Sequence, residues 1–198
     1  MVEIFENLNL NFLGKNTKKK QIILTHTGRP ILDYINSLKT RTNGEYHKIP
    51  NYVISREGLI YQCISDNDYS NFFKKEEINK NSIIISLENL GWLEKTPLTL
   101  SYNNWIRSIY NGEIYERKWR DYFFWQPYTE EQINVTAKIC IYLLDKFSID
   151  KKCIGHNTKV DGVENFKGIV TRSNFNSKFT DLSPAFNFEN FLKLIENE

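Results

Sequence analysis

Three histidines, His26, His47 and His156, and a late aspartate, Asp181, are the residues whose chemistry stands out in this chain of 198 residues. Two imidazoles and one carboxylate form a common ligand set for catalytic zinc, which leaves a fourth position for water. His26 closes the run QIILTH and His156 follows Ile154 and Gly155. Strand ends of this kind are where an open sheet presents functional groups. His47 lies in the polar stretch GEYHK. Each histidine, taken singly, also suits a structural or surface place, and no local spacing rule pairs residues as far apart in sequence as His26 and His156. Residue types alone leave the metal set as one reading among others.

The elements that must position these groups are legible from periodicity. Gln21 to Thr27 is a β-branched run whose alternation places Ile22, Leu24 and His26 on one face. Pro30 favours a helix start, with Asp33 to Leu38 inside that helix. Asn51 to Arg56 and Leu59 to Ile64 flank Glu57 and Gly58 as a hairpin, and Asn81 to Glu88 is a further strand. Thr129 with Gln132 matches a capping box, and Ile133, Ala137, Cys140, Ile141 and Leu144 recur at helical spacing. Lys152 to Gly155 reads as a short strand leading to His156, and Phe188 to Ile195 as a closing helix. This order predicts a single domain of mixed α/β (α+β) class, a central mixed β-sheet flanked by helices. Residues 1–19 read as an N-terminal extension, residues 20–198 as the domain, and residues 92–127 as an aromatic-rich insertion with Asn111 and Gly112 turning between two arms.

A 40% hydrophobic and 25% charged composition suits one packed core rather than a disordered chain. A net charge of +2 gives no electrostatic footprint for nucleic acid. The basic run Lys18, Lys19, Lys20 reads as a solvated linker. Cys63, Cys140 and Cys153 have no CxxC spacing and read as reduced core thiols. With neither a leader pattern at the N-terminus nor an apolar run of membrane-spanning length, the expectation is a soluble chain made in the cytoplasm, a monomer with no membrane partner.

Six segments, in order, resemble one known family. ILTHT is similar to the first zinc-ligand strand of the N-acetylmuramoyl-L-alanine amidases, which include phage amidase-type lysozymes, cytoplasmic anhydro-muropeptide amidases and peptidoglycan recognition proteins. NYVISREGLIYQC resembles that family's hairpin, NSIIISLEN its next strand and YTEEQ the start of its long helix. IGHN resembles its second ligand motif and TDLSPAFNF its closing motif. The resemblance implies the fold just described, with zinc held by His26, His156 and Asp181, and a substrate of peptidoglycan or muropeptides. It implies hydrolysis of the amide between N-acetylmuramic acid and L-alanine. The missing leader fits either a recycling amidase or a phage lysin released to the wall.

The helper positions depart from the family pattern. The family's acid/base glutamate aligns with Ser86, so Glu88, two residues on and on the same face, is the candidate general base. A family tyrosine aligns with Pro50, and a family lysine aligns with Phe179, leaving the adjacent Lys178 as candidate oxyanion stabiliser. The connection from residue 157 to 180 reads as a loop without regular structure, and its Arg172 as a candidate fork for a peptide-stem carboxylate. Trp105 and Trp119 are candidates for stacking on sugar rings, against an aromatic minicore that holds the insertion together. The alternatives to a hydrolase are a peptidoglycan-binding module with little or no catalysis, and a structural zinc domain, which normally closes with a fourth protein ligand.

Overall fold

The computed structural model describes residues 2–40, 48–96, 102–107 and 109–197, so His47 lies outside the described residues. The main sheet is built from β1 (Glu6–Asn7), β3 (Gln21–His26), β4 (Tyr52–Ile54), β5 (Ile60–Gln62), β7 (Ser82–Leu87) and β13 (Gly168–Thr171). Their spatial order is β1-β5-β4-β7-β3-β13. A small pair, β2 (Gly14–Lys15) and β6 (Asp68–Tyr69), sits apart from it. β3 is parallel to both β7 and β13, whereas β4 is parallel to β7 and antiparallel to β5, so the sheet is mixed as the sequence predicts.

β3 and β7 are continuous apolar runs because both of their faces are covered. Ile22, Leu24, Ile83, Ile85 and Leu87 pack toward α3 (Glu130–Phe147) and α5 (Phe188–Glu196), which supply Ala137, Cys140, Leu144 and Phe191. Ile23, Ile84 and Val170 face the other way, onto Phe72 and Val163. α1 (Ile31–Thr40) covers Val53 and Tyr61 through Ile35 and Leu38. The Thr129 side chain caps α3 by accepting from Gln132 N–H at 3.1 Å. Gln132 does not close the box. Its amide instead donates to the carbonyls of Ile54, Ser55 and Glu88, stitching the helix start to the ends of β4 and β7.

Four expectations change in the folded chain. The segment read as an extension contributes β1, which pairs in parallel with β5, so the chain before residue 20 is part of the sheet. The long connection after His156 is not a plain loop: it holds a 3-10 turn (Val163–Asn165), the buried strand β13 and the short helix α4 (Arg172–Phe175). The aromatic segment forms its own antiparallel sheet from β8 (Trp92–Lys95), β9 (Tyr102–Asn103), β10 (Ile109–Tyr110), β11 (Tyr115–Trp119) and β12 (Tyr122–Trp125), in the order β10-β9-β8-β12-β11. Asn111 and Gly112 therefore link opposite edges of that sheet. The tight reversal lies instead between β11 and β12, where Arg120 takes φ of 55°. Another helix, α2 (Glu76–Asn81), precedes β7.

The fourth change concerns Lys19, which is 5% exposed rather than solvated. Its ammonium donates to the carbonyls of Lys80 at 3.1 Å and Asp68 at 3.4 Å. Burial pushes its pKa down to about 8, against the opposing pull of Asp68 and Asp66. Between that value and the ordinary 10.5 the unfolded chain binds the extra proton, so folding stability from this group rises with pH across the window. Urea midpoints of the unaltered protein should therefore climb from pH 8 to pH 10 relative to those of Lys19→Met. Parallel pH responses in the two proteins would dispose of a buried, titrating ammonium.

Candidate functional site

The parallel arrangement brings the C-terminal ends of β3, β7 and β13 together, and the candidate site forms there. His26, at the end of β3, is partly buried, and its Nδ1 is enclosed without a hydrogen-bond partner. Gly91 makes room for the ring: its φ is 77°, and a Cβ there would lie 2.6 Å from His26 Cε1. Burial lowers the His26 pKa, with Asp181 pulling it up and Arg172 adding to the fall. The imidazole is thus kept neutral at neutral pH, a state able to accept a proton or a metal.

Asp181 is 2% exposed. Its Oδ2 accepts a short hydrogen bond from Thr25 Oγ1 and stands 3.5 Å from Arg172 Nη1. Burial by itself would raise the Asp181 pKa, but Arg172, His26 and Thr25 outweigh it and hold the carboxyl below its ordinary range. The backbone of Asp181 is also fixed, its carbonyl accepting from the N–H and the hydroxyl of Ser173.

His156, His26 and Asp181 form no three-donor group among the described residues. The segment that carries it pairs with the outer edge of β13, through a Cys153 to Ile169 bridge and a 3.1 Å bond from Ile154 N–H to the Ile169 carbonyl. β13 therefore stands between this segment and β3. His156 is exposed, and its Nδ1 lies 2.9 Å from Thr158 Oγ1. Among the described residues no group of three His, Cys, Asp or Glu side chains is assembled to hold a metal. His26, with its unpaired nitrogen, and Asp181 suit a metal, but two donors fall short of the usual three and a guanidinium lies against one of them.

The remaining candidates are spread over the surroundings. Ser86, register partner of Thr25, is fully buried and its hydroxyl has no partner. The Glu88 carboxylate is engaged by backbone, with Oε1 accepting from Ile31 N–H at 2.9 Å and Oε2 from Arg56 N–H at 3.0 Å. It holds the start of α1 and the turn after β4. Lys178 is exposed in a turn, where its N–H donates to Asn176 Oδ1. Phe179, next to it, stacks on the Arg172 guanidinium with 4.0 Å to the ring centroid. Arg172 thus points into the protein toward Asp181, a placement that sequence reasoning missed. The β-branched run GIVT just before it was the available signal.

A groove of about 760 Å³ opens between Tyr115, Arg117 and Trp119 of β11 and the chain from Pro184 to Glu189, and neither His26 nor Asp181 lines it. His156 and Asn157 line it, and Asn157 Nδ2 donates to the Leu182 carbonyl at 3.0 Å, tying the groove wall to the residue after Asp181. Trp119 lies under the Arg120 guanidinium, 4.2 Å from its ring centroid. Trp105 is half exposed beside Gly28, with Arg29 over its ring at 5.2 Å. Asn104 pins this part of the insertion by donating to the Gly28 and Leu90 carbonyls.

The sequence pattern of the N-acetylmuramoyl-L-alanine amidases matches residues 15–167, more than half of the chain. The chain belongs to that family. Solved structures share the fold of this family member at low identity. The endolysin amidase LysCS from Clostridium intestinale matches with a TM-score of 0.56 and 11% identity, over 99% of each chain. AmiD from E. coli, in complex with anhydro-N-acetylmuramic acid-L-Ala-D-gamma-Glu-L-Lys, matches with a TM-score of 0.55 and 12% identity, over 91% of this chain and 58% of its own. AmpDh3 from Pseudomonas aeruginosa, in complex with an anhydromuramic pentapeptide, matches with a TM-score of 0.55 and 13% identity, over 91% and 61%. No curated protein sequence matches significantly. No described helix of this amidase-family chain is long and apolar enough to cross a membrane.

Proposed function

We propose that this protein hydrolyses the amide between N-acetylmuramic acid and L-alanine in peptidoglycan or its fragments. Family membership supports a peptidoglycan amidase activity. The observation that carries the reading here is the partly buried His26 at the end of β3 paired with the buried Asp181, whose chain runs on through Pro184 into the wall of an aromatic groove. The complexes of AmiD and AmpDh3 with muramoyl peptides support the same ligand class, and the endolysin LysCS supports a role against the cell wall. In this reading the groove takes the sugar and peptide while His26 and Asp181 face the scissile amide. Zinc is the group the family resemblance implies. Its ligands in this reading are His26, His156 and Asp181, although among the described residues no group of three such donors is assembled.

A second reading, binding without hydrolysis, is favoured by the Arg172 cation that lies on Asp181. One experiment separates the two. Protein supplied with zinc is incubated with a defined muropeptide, products are identified by mass, and binding is followed by calorimetry. Release of muramic acid and the free peptide amine supports hydrolysis, intact muropeptide with saturable binding supports the second reading, and neither signal defeats both.

The groove makes a further expectation. Trp119→Ala should weaken binding of sugar-containing muropeptides by about 10-fold, the scale of one lost aromatic contact, while a peptide without the sugar is unaffected. Trp105→Ala, half exposed beside Gly28 and not part of the groove lining, should have the smaller effect. Equal losses on both ligands in a folded Trp119→Ala protein would remove sugar stacking from its role.

A further inference from the structure

We propose that the Arg172 guanidinium stands in the place of a metal ion against Asp181, so that zinc and Arg172 compete for one carboxylate. The topology supplies the first reason. β13 is the strand beside β3, with Thr171 in register with Leu24, so the residue that leaves its end toward His26 and Asp181 is Arg172. The histidine-bearing segment is one strand further out, roughly 4.8 Å away in the direction of the ladder. Of the side chains the main sheet delivers to the centre from this edge, one is therefore a fixed cation instead of a neutral donor.

Charge supplies the second. Asp181 is removed from water, and its Oδ2 is already shared by Thr25 Oγ1 and Arg172 Nη1. A buried carboxylate needs a countercharge, and the guanidinium provides it without a metal. A dication at the same oxygen would face Arg172 in a site poorly screened by solvent. His26 Nδ1 is left with no partner, as is Arg172 Nε, so neither nitrogen has settled into a hydrogen bond that would compensate its burial. A second cation, Arg120, lies close enough for Asp181 to act on it.

The surroundings also give the displaced group a resting place. The Arg172 guanidinium lies between Phe179, at 4.0 Å, and Phe72, at 5.6 Å, at the base of a cavity of about 550 Å³. Turning away from Asp181 onto these ring faces would keep its cation–π contacts. The exchange is thus between two cations for one carboxylate, with the aromatic cavity as the position of the loser.

This proposal concerns metal occupancy and does not rest on the hydrolysis reading. Its test is the zinc affinity of the full chain, measured with zinc alone by competition with a chromogenic chelator. Arg172→Gln should bind zinc at least about 10-fold more tightly than the unaltered protein, because the competing charge is gone. Arg172→His should gain more, since it adds an imidazole donor beside His26 and Asp181. Arg172→Lys, which keeps a cation, should stay within about 2-fold of the unaltered protein. Equal affinity in the unaltered and Arg172→Gln proteins, or weaker binding in Arg172→Gln, overturns the proposal. If the variants do not fold, the unaltered protein still decides the matter through the nitrogen-15 signal of Arg172 Nε. That signal should move in step with zinc occupancy, and an unchanged signal at saturating zinc overturns the competition. Muropeptide cleavage is scored separately, so tighter zinc without turnover removes hydrolysis and leaves the proposal standing.

Discussion

Asp181→Ala should cost about 3 kcal/mol of folding stability, the low end of the range for removing one partner of a buried ion pair. The low end applies because the Arg172 side chain keeps 22% of its surface exposed and can recover part of its hydration. Two groups lose their partner at once: the Arg172 guanidinium and the Thr25 hydroxyl. Adding Arg172→Met to Asp181→Ala should return much of the loss, because the abandoned cation disappears with it. Urea unfolding of the four proteins in this cycle measures the coupling directly. Additive losses would mean that the two side chains do not depend on one another, and a loss below about 1 kcal/mol would make Asp181 a surface-like carboxylate.

Glu88→Ala is expected to lose about 2–6 kcal/mol, the sum for two backbone donors left without an acceptor. One of them, Ile31 N–H, opens α1, where a carboxylate also favours the positive end of the helix dipole. The other, Arg56 N–H, starts the turn between β4 and β5. Glu88→Gln should lose about half as much, since an amide keeps one acceptor and meets the second N–H with a donor. Thermal unfolding and turnover are to be measured on the same preparations. A Glu88→Gln protein of unchanged stability whose turnover drops by about 10²-fold would restore Glu88 as a proton shuttle. The expected result is the reverse, a lower melting temperature with turnover per folded molecule little changed.

These two carboxylates show how far local reasoning reaches. Parity along NSIIISLE places Glu88 at the end of a strand on the face of Ser86, and the strand forms as Ser82–Leu87. Parity says nothing of the two N–H groups that meet the carboxylate, because Ile31 and Arg56 belong to elements remote in sequence. The same limit applies to Gln132. The Thr129-x-x-Gln132 pattern marks the true start of α3, yet the glutamine side chain serves the ends of β4 and β7 instead of closing its own cap.

The amino-acid sequence by itself determined the mixed sheet, the helix over Glu130–Phe147, the hairpin of β4 and β5, the position of His26 at a strand end and the family. Each of these is written in short-range alternation, helical spacing or a motif of a few residues, and short-range patterns survive because backbone geometry repeats every two or 3.6 residues. Tertiary structure alone decided which side chains meet. GIVT could be seen as β-branched, but only the pairing of β13 with β3 places Arg172 beside Asp181 and the Cys153 segment on the outer edge of the sheet. Strand order is set by contacts between distant segments competing for one sheet edge, and no local period encodes which of them wins.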